Sequence, residues 1–215
     1  SATVALSTVG CFLVIVGLVV QRRVPVRWRL RVIGAFTAVG IAAAVGAFFA
    51  RHMIADAFGR SPDMSGRSII WRRAAALIAE HPIGGWGWFI GWPTSIEPFS
   101  SLVIRNDGTA TNQAHNVYVE AALTTGFVGA AIITGAIVWT LFRVVKVAVA
   151  HIDDNLWDVI PAVLMIAMFI QSFTESRLLF EGNWMLFVII ATWVKVRGEV
   201  PLVWPSAARQ HLEYS

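Results

Sequence analysis

Charge is what this sequence has least of. Of its 215 residues, 14% are charged and 57% are hydrophobic, and the mean hydropathy is +0.67. A soluble domain carries about 25% charged residues, so the shortfall excludes an ordinary soluble enzyme and makes topology the first question. Cysteine is nearly absent too. Cys11, the single one, lies inside an apolar run; no disulfide within the chain is possible, and a lone buried thiol usually serves packing. Phosphate-binding signatures of the Walker and G-x-G-x-x-G types are missing, as is the G-x-S-x-G elbow. A metal centre fails on spacing, because His52, His81 and His115 stand far apart, with no pair at i, i+4 and no cysteine partner. No internal repeat is visible.

What the sequence does have is long apolar runs. Ala2 to Val20, Val32 to Ala50 and Ala121 to Phe142 contain no charge and lie near the ~20 residues that cross a bilayer. Trp157 to Phe173 carries only Asp158, at its edge, and Gln171; Leu178 to Val194 is interrupted by Glu181. The expected fold is an all-α integral membrane protein of about five transmembrane helices with one large external helical loop. The first run has no basic start, and its basic cluster follows it, so it reads as a span rather than a signal peptide. There is no initiator Met and the chain starts within apolar sequence, so we expect a fragment, the C-terminal part of a larger polytopic bundle.

Orientation follows from Lys and Arg in the short connections. Arg22, Arg23, Arg27, Arg29 and Arg31 separate the first two runs, Arg143 and Lys146 follow the third, and Lys195 and Arg197 follow the fifth. Alternating spans put all three groups on one side, the cytoplasmic one. The expected division is residues 1–50 as two spans with a basic cytoplasmic loop, 51–120 as a large periplasmic or extracellular loop, 121–197 as three spans, and 198–215 as a cytoplasmic tail. The net charge of +4 then reports topology, and no nucleic-acid partner is implied. Asp153, Asp154 and Asp158 faintly resemble an aspartate-rich magnesium motif but read better as a solvated cap on a helix start.

The outer loop holds the polar variety that chemistry needs. "SGRSIIWRRAAALIAE" predicts a helix with Ile70, Ala74, Leu77 and Ile78 on one face, opened by Ser65 or Ser68 and stopped at Pro82. "HPIGGWGWFIGWP" follows, with Trp86, Trp88 and Trp92 set among glycines. The common use of such indoles is an aromatic belt at headgroup level, and the functional one is a platform for sugar rings or an isoprenoid chain. Next to the third run stands His115, whose imidazole type is able to accept a proton near neutrality. A solitary histidine at a membrane boundary is more often an interfacial residue. On a continuous helix Glu120 points away from it, and orients it only if the helix begins after His115. Among the arginines, Arg72 and Arg73 fall on the polar face of the predicted helix. Arg67 opens that helix behind a glycine and is the better phosphate ligand, with Arg60 and Arg105 in the flanking loops as further candidates.

His115–Asn116 followed by Gly126 and Gly129, preceded in order by Gly66–Arg67, Trp71 and "HPIGGWGW", resembles the signature of bacterial O-antigen ligases and the related polymerase superfamily. The resemblance covers roughly residues 60 to 130. It implies a membrane glycosyltransferase of the bacterial inner membrane that takes a glycan from undecaprenyl diphosphate and passes it to a hydroxyl on a saccharide or glycolipid acceptor. It implies no metal or other cofactor. By carry-over His115 is the essential histidine and Arg67 engages the diphosphate, with Asn116, Arg60, Arg105, Trp86 and Trp88 as substrate-binding candidates. The family carries further spans and arginines before this region, so the fragment is expected to be inactive alone. Three rivals stand beside this reading: a polysaccharide polymerase of the same superfamily, a membrane carrier of the bicarbonate type, and a structural subunit that docks through the loop. A carrier calls for ionisable groups near mid-bilayer, and the first three runs have none.

Overall fold

The computed structural model describes residues 12, 16, 17, 20, 21, 23–49, 67–89, 91–102, 111–151 and 156–199. Most of the first expected span, Arg60, Arg105 and the expected tail beyond Glu199 lie outside them. Among the described residues the elements are five helices: α1 (Val26–Phe49), α2 (Arg67–Glu80), α3 (Val117–His151), α4 (Val159–Ser172) and α5 (Glu181–Glu199). Short 3-10 turns at Phe99–Ser101, Leu156–Asp158 and Arg177–Leu179 join them, and no strand occurs among the described residues.

The order of elements follows the hydropathy pattern, with altered boundaries. α3 has 35 residues and is long and apolar enough to cross a bilayer alone. α4, on the fourth expected span, has 14 residues, short of the ~20 of a full crossing. The fifth expected span starts late: Leu178 and Leu179 belong to a 3-10 turn, and α5 begins at Glu181. Helices α3, α4 and α5 pack together. Their core joins Ile137, Val144 and Ala148 of α3, Ala162 and Met165 of α4, and Phe187, Ile190 and Val194 of α5. The i, i+3, i+4 and i+7 spacings of these residues place them on single helical faces. Phe127, Ile132, Trp139 and Phe142 of α3 stay exposed, as side chains turned to lipid would be.

α2 forms as its apolar spacing predicts. Ile70, Ala74, Leu77 and Ile78 are its buried residues, and they pack with Trp92, Phe99, Leu102, Ala122 and Leu123 in a second core. Its first residue is Arg67, so Ser68 lies inside the helix instead of capping it. Arg73 donates to the carbonyl of Leu102 at 3.0 Å and holds the turn at Phe99–Ser101 to the helix.

α3 is broken at Gly126 (φ 66°, ψ −176°). From the spacing of Gly126 and Gly129 we expect close approach of a neighbouring helix; what enters is the backbone of the glycine-rich loop. Trp86 N–H donates to the Leu123 carbonyl and Gly87 N–H to that of Thr124, both at 2.9 Å, while Phe127 N–H donates to the Pro82 carbonyl at 2.7 Å. The loop thus takes up the backbone groups that the break leaves unpaired, and a low-dielectric setting demands that they be paired. A Cβ at Gly126 would collide with the Ile83 carbonyl, and one at Gly85 would meet Gly126 N at 2.5 Å. Gly129 has a different role, since a Cβ there would meet the side chain of Thr125.

Candidate active site

His115 stands two residues before α3, in the left-handed region at φ 50°. Histidine visits that region more readily than branched residues do, yet it still costs about 1–3 kcal/mol and persists only where the surroundings impose it. Asn116 supplies part of the constraint as the helix cap. Its Oδ1 accepts from the N–H groups of Tyr118 at 2.9 Å and Val119 at 3.1 Å, and its Nδ2 donates to the Phe173 carbonyl at 3.2 Å. Both ends of this amide are therefore occupied by the protein. On the other flank, Trp71 Nε1–H donates to the Ala114 carbonyl at 2.9 Å, which ties the turn to α2.

The imidazole meets a residue absent from the sequence-based candidates. Glu175, between α4 and α5, lies with Oε2 at 3.2 Å from His115 Nδ1 and with Oε1 at 3.2 Å from a guanidinium nitrogen of Arg67. One carboxylate bridges the two residues singled out from the sequence, on two separate oxygens. The three side chains are 18–24% exposed, buried enough to be held and open enough to be reached. The segment bearing Glu175 is stitched to the start of α3 by further bonds. Asn116 N–H donates to Ser176 Oγ at 3.1 Å, Tyr118 Oη lies 3.0 Å from Ser172 Oγ, and the Tyr118 and Phe173 rings stand 5.1 Å apart.

Because α3 starts after His115, Glu120 is placed where it could approach the imidazole. Its carboxylate turns elsewhere, to Ala114 N–H, Trp92 Nε1–H and Ser176 Oγ–H. Glu175 was hard to find from sequence because it lies sixty positions from His115. The signal available was an acid in the short connection between the last two apolar runs, opposite a helix that opens on arginine.

The tryptophans divide. Trp86 is half-buried; its Nε1–H donates to the Leu77 carbonyl at 2.8 Å, and its ring stands edge-on to His81 and Phe99. Trp92 is buried in the second core. These two indoles hold the loop together, whereas Trp88 remains 48% exposed.

At the other end of the bundle Asp158, expected as a solvated cap, is buried. It precedes α4 without a side-chain capping bond, and its Oδ2 lies 3.0 Å from both His151 Nδ1 and a guanidinium nitrogen of Arg197. Arg29, at the start of α1, reaches the Val149 carbonyl nearby. Residues from the first and third basic groups thus gather at one end of α3, with His115 at the opposite end.

The chain is similar to a known protein over most of its own length. It is 24% identical over 163 residues to the exopolysaccharide production protein ExoQ of Rhizobium meliloti (strain 1021), covering 72% of this chain and 37% of that protein. The family model described as O-antigen ligase matches residues 1–134, which include Arg67, the glycine-rich loop, His115, Gly126 and Gly129, and stop short of Glu175. With more than half of its length inside that match, the chain belongs to the O-antigen ligase family of membrane proteins.

Proposed function

We propose that the chain carries the catalytic loop of an inner-membrane glycosyltransferase that moves a glycan from undecaprenyl diphosphate to a saccharide hydroxyl. The observation that carries this reading is the Glu175 carboxylate bridging Arg67 and His115. A carboxylate accepting from Nδ1–H fixes the tautomer in which Nε2 is the basic nitrogen. Nε2 takes the proton of the acceptor hydroxyl as its oxygen bonds to the anomeric carbon. The bond from that carbon to the diphosphate oxygen breaks, its electron pair leaves with the lipid diphosphate, and the configuration inverts. Arg67 meets the growing negative charge; its fork has five N–H donors, and the contact with Glu175 leaves others for phosphate oxygens. General-base assistance is worth about 10²- to 10⁴-fold, so charge stabilisation and positioning supply the remainder.

In this reading the five expected spans alternate, the basic end of the bundle faces the cytoplasm, and the loop lies on the periplasmic or extracellular side, where a lipid-linked donor is displayed. Arg60 and Arg105 remain candidate diphosphate ligands. Exposed Trp88 is the better sugar platform, while Trp86 and Asn116 act by holding the loop and the turn in place. The relative's name, exopolysaccharide production protein, supports a second reading of the acceptor as the end of a growing polysaccharide. Because the chain spans 37% of that relative, we expect the isolated 215 residues to be inactive. The test is transfer by the full-length parent from an undecaprenyl-diphosphate glycan, with and without chelator. Product in both cases supports the proposal; solute flux without product favours a carrier.

A further inference from the structure

We infer that Glu120 is a positioning residue that fixes the backbone turn of His115, an inference that rests on His115 being the base. Glu120 is 1% exposed, inside a largely apolar helix. A buried carboxyl group there costs several kcal/mol unless it is fully hydrogen-bonded, and it is surrounded by donors. Oε2 accepts from the backbone N–H of Ala114 at 2.6 Å and from the Ser176 hydroxyl at 3.3 Å. Oε1 accepts from the Trp92 indole at 2.8 Å. All three partners donate, a set that suits an acceptor-only carboxylate and not an amide with one oxygen.

Two of these partners enclose His115. Ala114 N–H lies immediately before it and is held by Glu120 directly. Asn116 N–H lies immediately after it and is held by Ser176 Oγ, whose own proton goes to Glu120. The carboxylate therefore holds the residues on both sides of the one at φ 50°, Ala114 directly and Asn116 through Ser176. It does so from inside the helix that His115 precedes, and it reaches the segment that carries Glu175 through the next residue, Ser176. One buried group thus sets the separation between the imidazole and its carboxylate partner. The third partner, Trp92, also donates its backbone N–H to the Asn112 carbonyl at 2.7 Å, so the outer loop is indexed to the same point.

The test uses the full-length parent, with rates normalised to folded, monodisperse protein. Glu120→Ala should lower kcat by roughly 10- to 100-fold, since a displacement near 1 Å can cost about 10²-fold, and should leave donor KM within about threefold. Glu120→Gln should also be impaired, because its NH2 must face a donor. Pairing it with Trp92→Phe removes the facing indole N–H, and we expect the double variant to recover at least tenfold over Glu120→Gln, a rescue that a merely structural role does not require. If Glu120→Ala does not fold, Ser176→Ala is read instead, with kcat lowered about fivefold and KM unchanged. Wild-type kcat in folded Glu120→Ala or Ser176→Ala, or no recovery in the double variant, overturns the inference. Retained turnover in His115→Ala would instead overturn the assignment of the base, so the two failures are distinguishable.

Discussion

Two Arg–carboxylate–His groups occupy opposite ends of α3, built from the same three kinds of side chain. In the group at the His151 end, a single oxygen of Asp158 takes both partners at 3.0 Å, and the carboxyl side chain is 6% exposed. In the group at the His115 end, Glu175 offers one oxygen to each partner at 3.2 Å and is 22% exposed. His151 is the last residue of a helix; His115 sits on a left-handed turn outside one. The first group joins the ends of α3 and α5 to the start of α4 and has the form of a staple. The second leaves each partner its own oxygen and is open to a ligand. Residue type alone does not distinguish the two groups; the sharing of oxygens, the burial and the backbone do.

The sharpest way to break this comparison is to remove each histidine in turn from the full-length parent. We expect His115→Ala to lower transfer by about 10²- to 10⁴-fold while expression persists, and His151→Ala to leave transfer within about twofold. Equal losses in the two variants would erase the distinction. Glu175→Gln comes next. The side chain keeps its shape but can no longer accept from both Arg67 and His115, and the tautomer of the imidazole is no longer imposed. In a triad with that geometry the loss reaches about 10⁴-fold, and we expect at least 10²-fold in kcat. A Glu175→Gln enzyme with normal kcat would reduce the bridge to an incidental contact.

These contrasts also show which parts of the molecule could be read from the sequence. The buried face of α2 was legible because four apolar residues at helical spacing have one way to be buried together. Arg67 and His115 were legible only as types in a pattern, and the structure places them against one carboxylate. Glu175 was not legible, because pairing across sixty positions is decided by how α4 returns to α3, and hydropathy does not encode that. Asp158 misled for the same reason: its neighbours Asp153 and Asp154 suggest solvent, while its partners come from the ends of α3 and α5. The break at Gly126 was half visible. The glycine signalled close approach, but the visitor was loop backbone, whose hydrogen bonds leave no trace in side-chain patterning.

Gly126 lies between the two ends and belongs to the architecture of the one at His115. Gly126→Ala puts a Cβ into the Ile83 carbonyl and holds a non-glycine residue at φ 66°, a conformation that costs about 1–3 kcal/mol before any clash. We expect a thermal midpoint lowered by several degrees and faster proteolysis within residues 83–88. Gly129→Ala is the contrast. There the obstacle is the Thr125 side chain one turn earlier in α3, its Cβ as well as its Oγ1, so the strain falls on the helix and not on the docked loop, which should stay protected. Equal protease sensitivity in both would mean that the break in α3 does not depend on the docked loop.

The smallest effect on transfer is expected at Asp158, and it tests the staple itself. Asp158→Asn retains one oxygen that can still accept from both partners but removes the negative charge that Arg197 and His151 face. Charge-assisted hydrogen bonds of this kind contribute about 1.5–3 kcal/mol each; the Asp158 carboxyl group is nearly closed to solvent, but Arg197 is 35% exposed, so salt screens that contact in part. The expected result is a lower thermal midpoint with kcat and donor KM unchanged per folded molecule. The length of α3 supports that separation, since its 35 residues stand between the altered carboxyl group and the imidazole. If kcat fell in Asp158→Asn while the fold held, the two ends would be coupled through α3, and the group at the His151 end would have to be read as part of the proposed transfer mechanism instead of its scaffold.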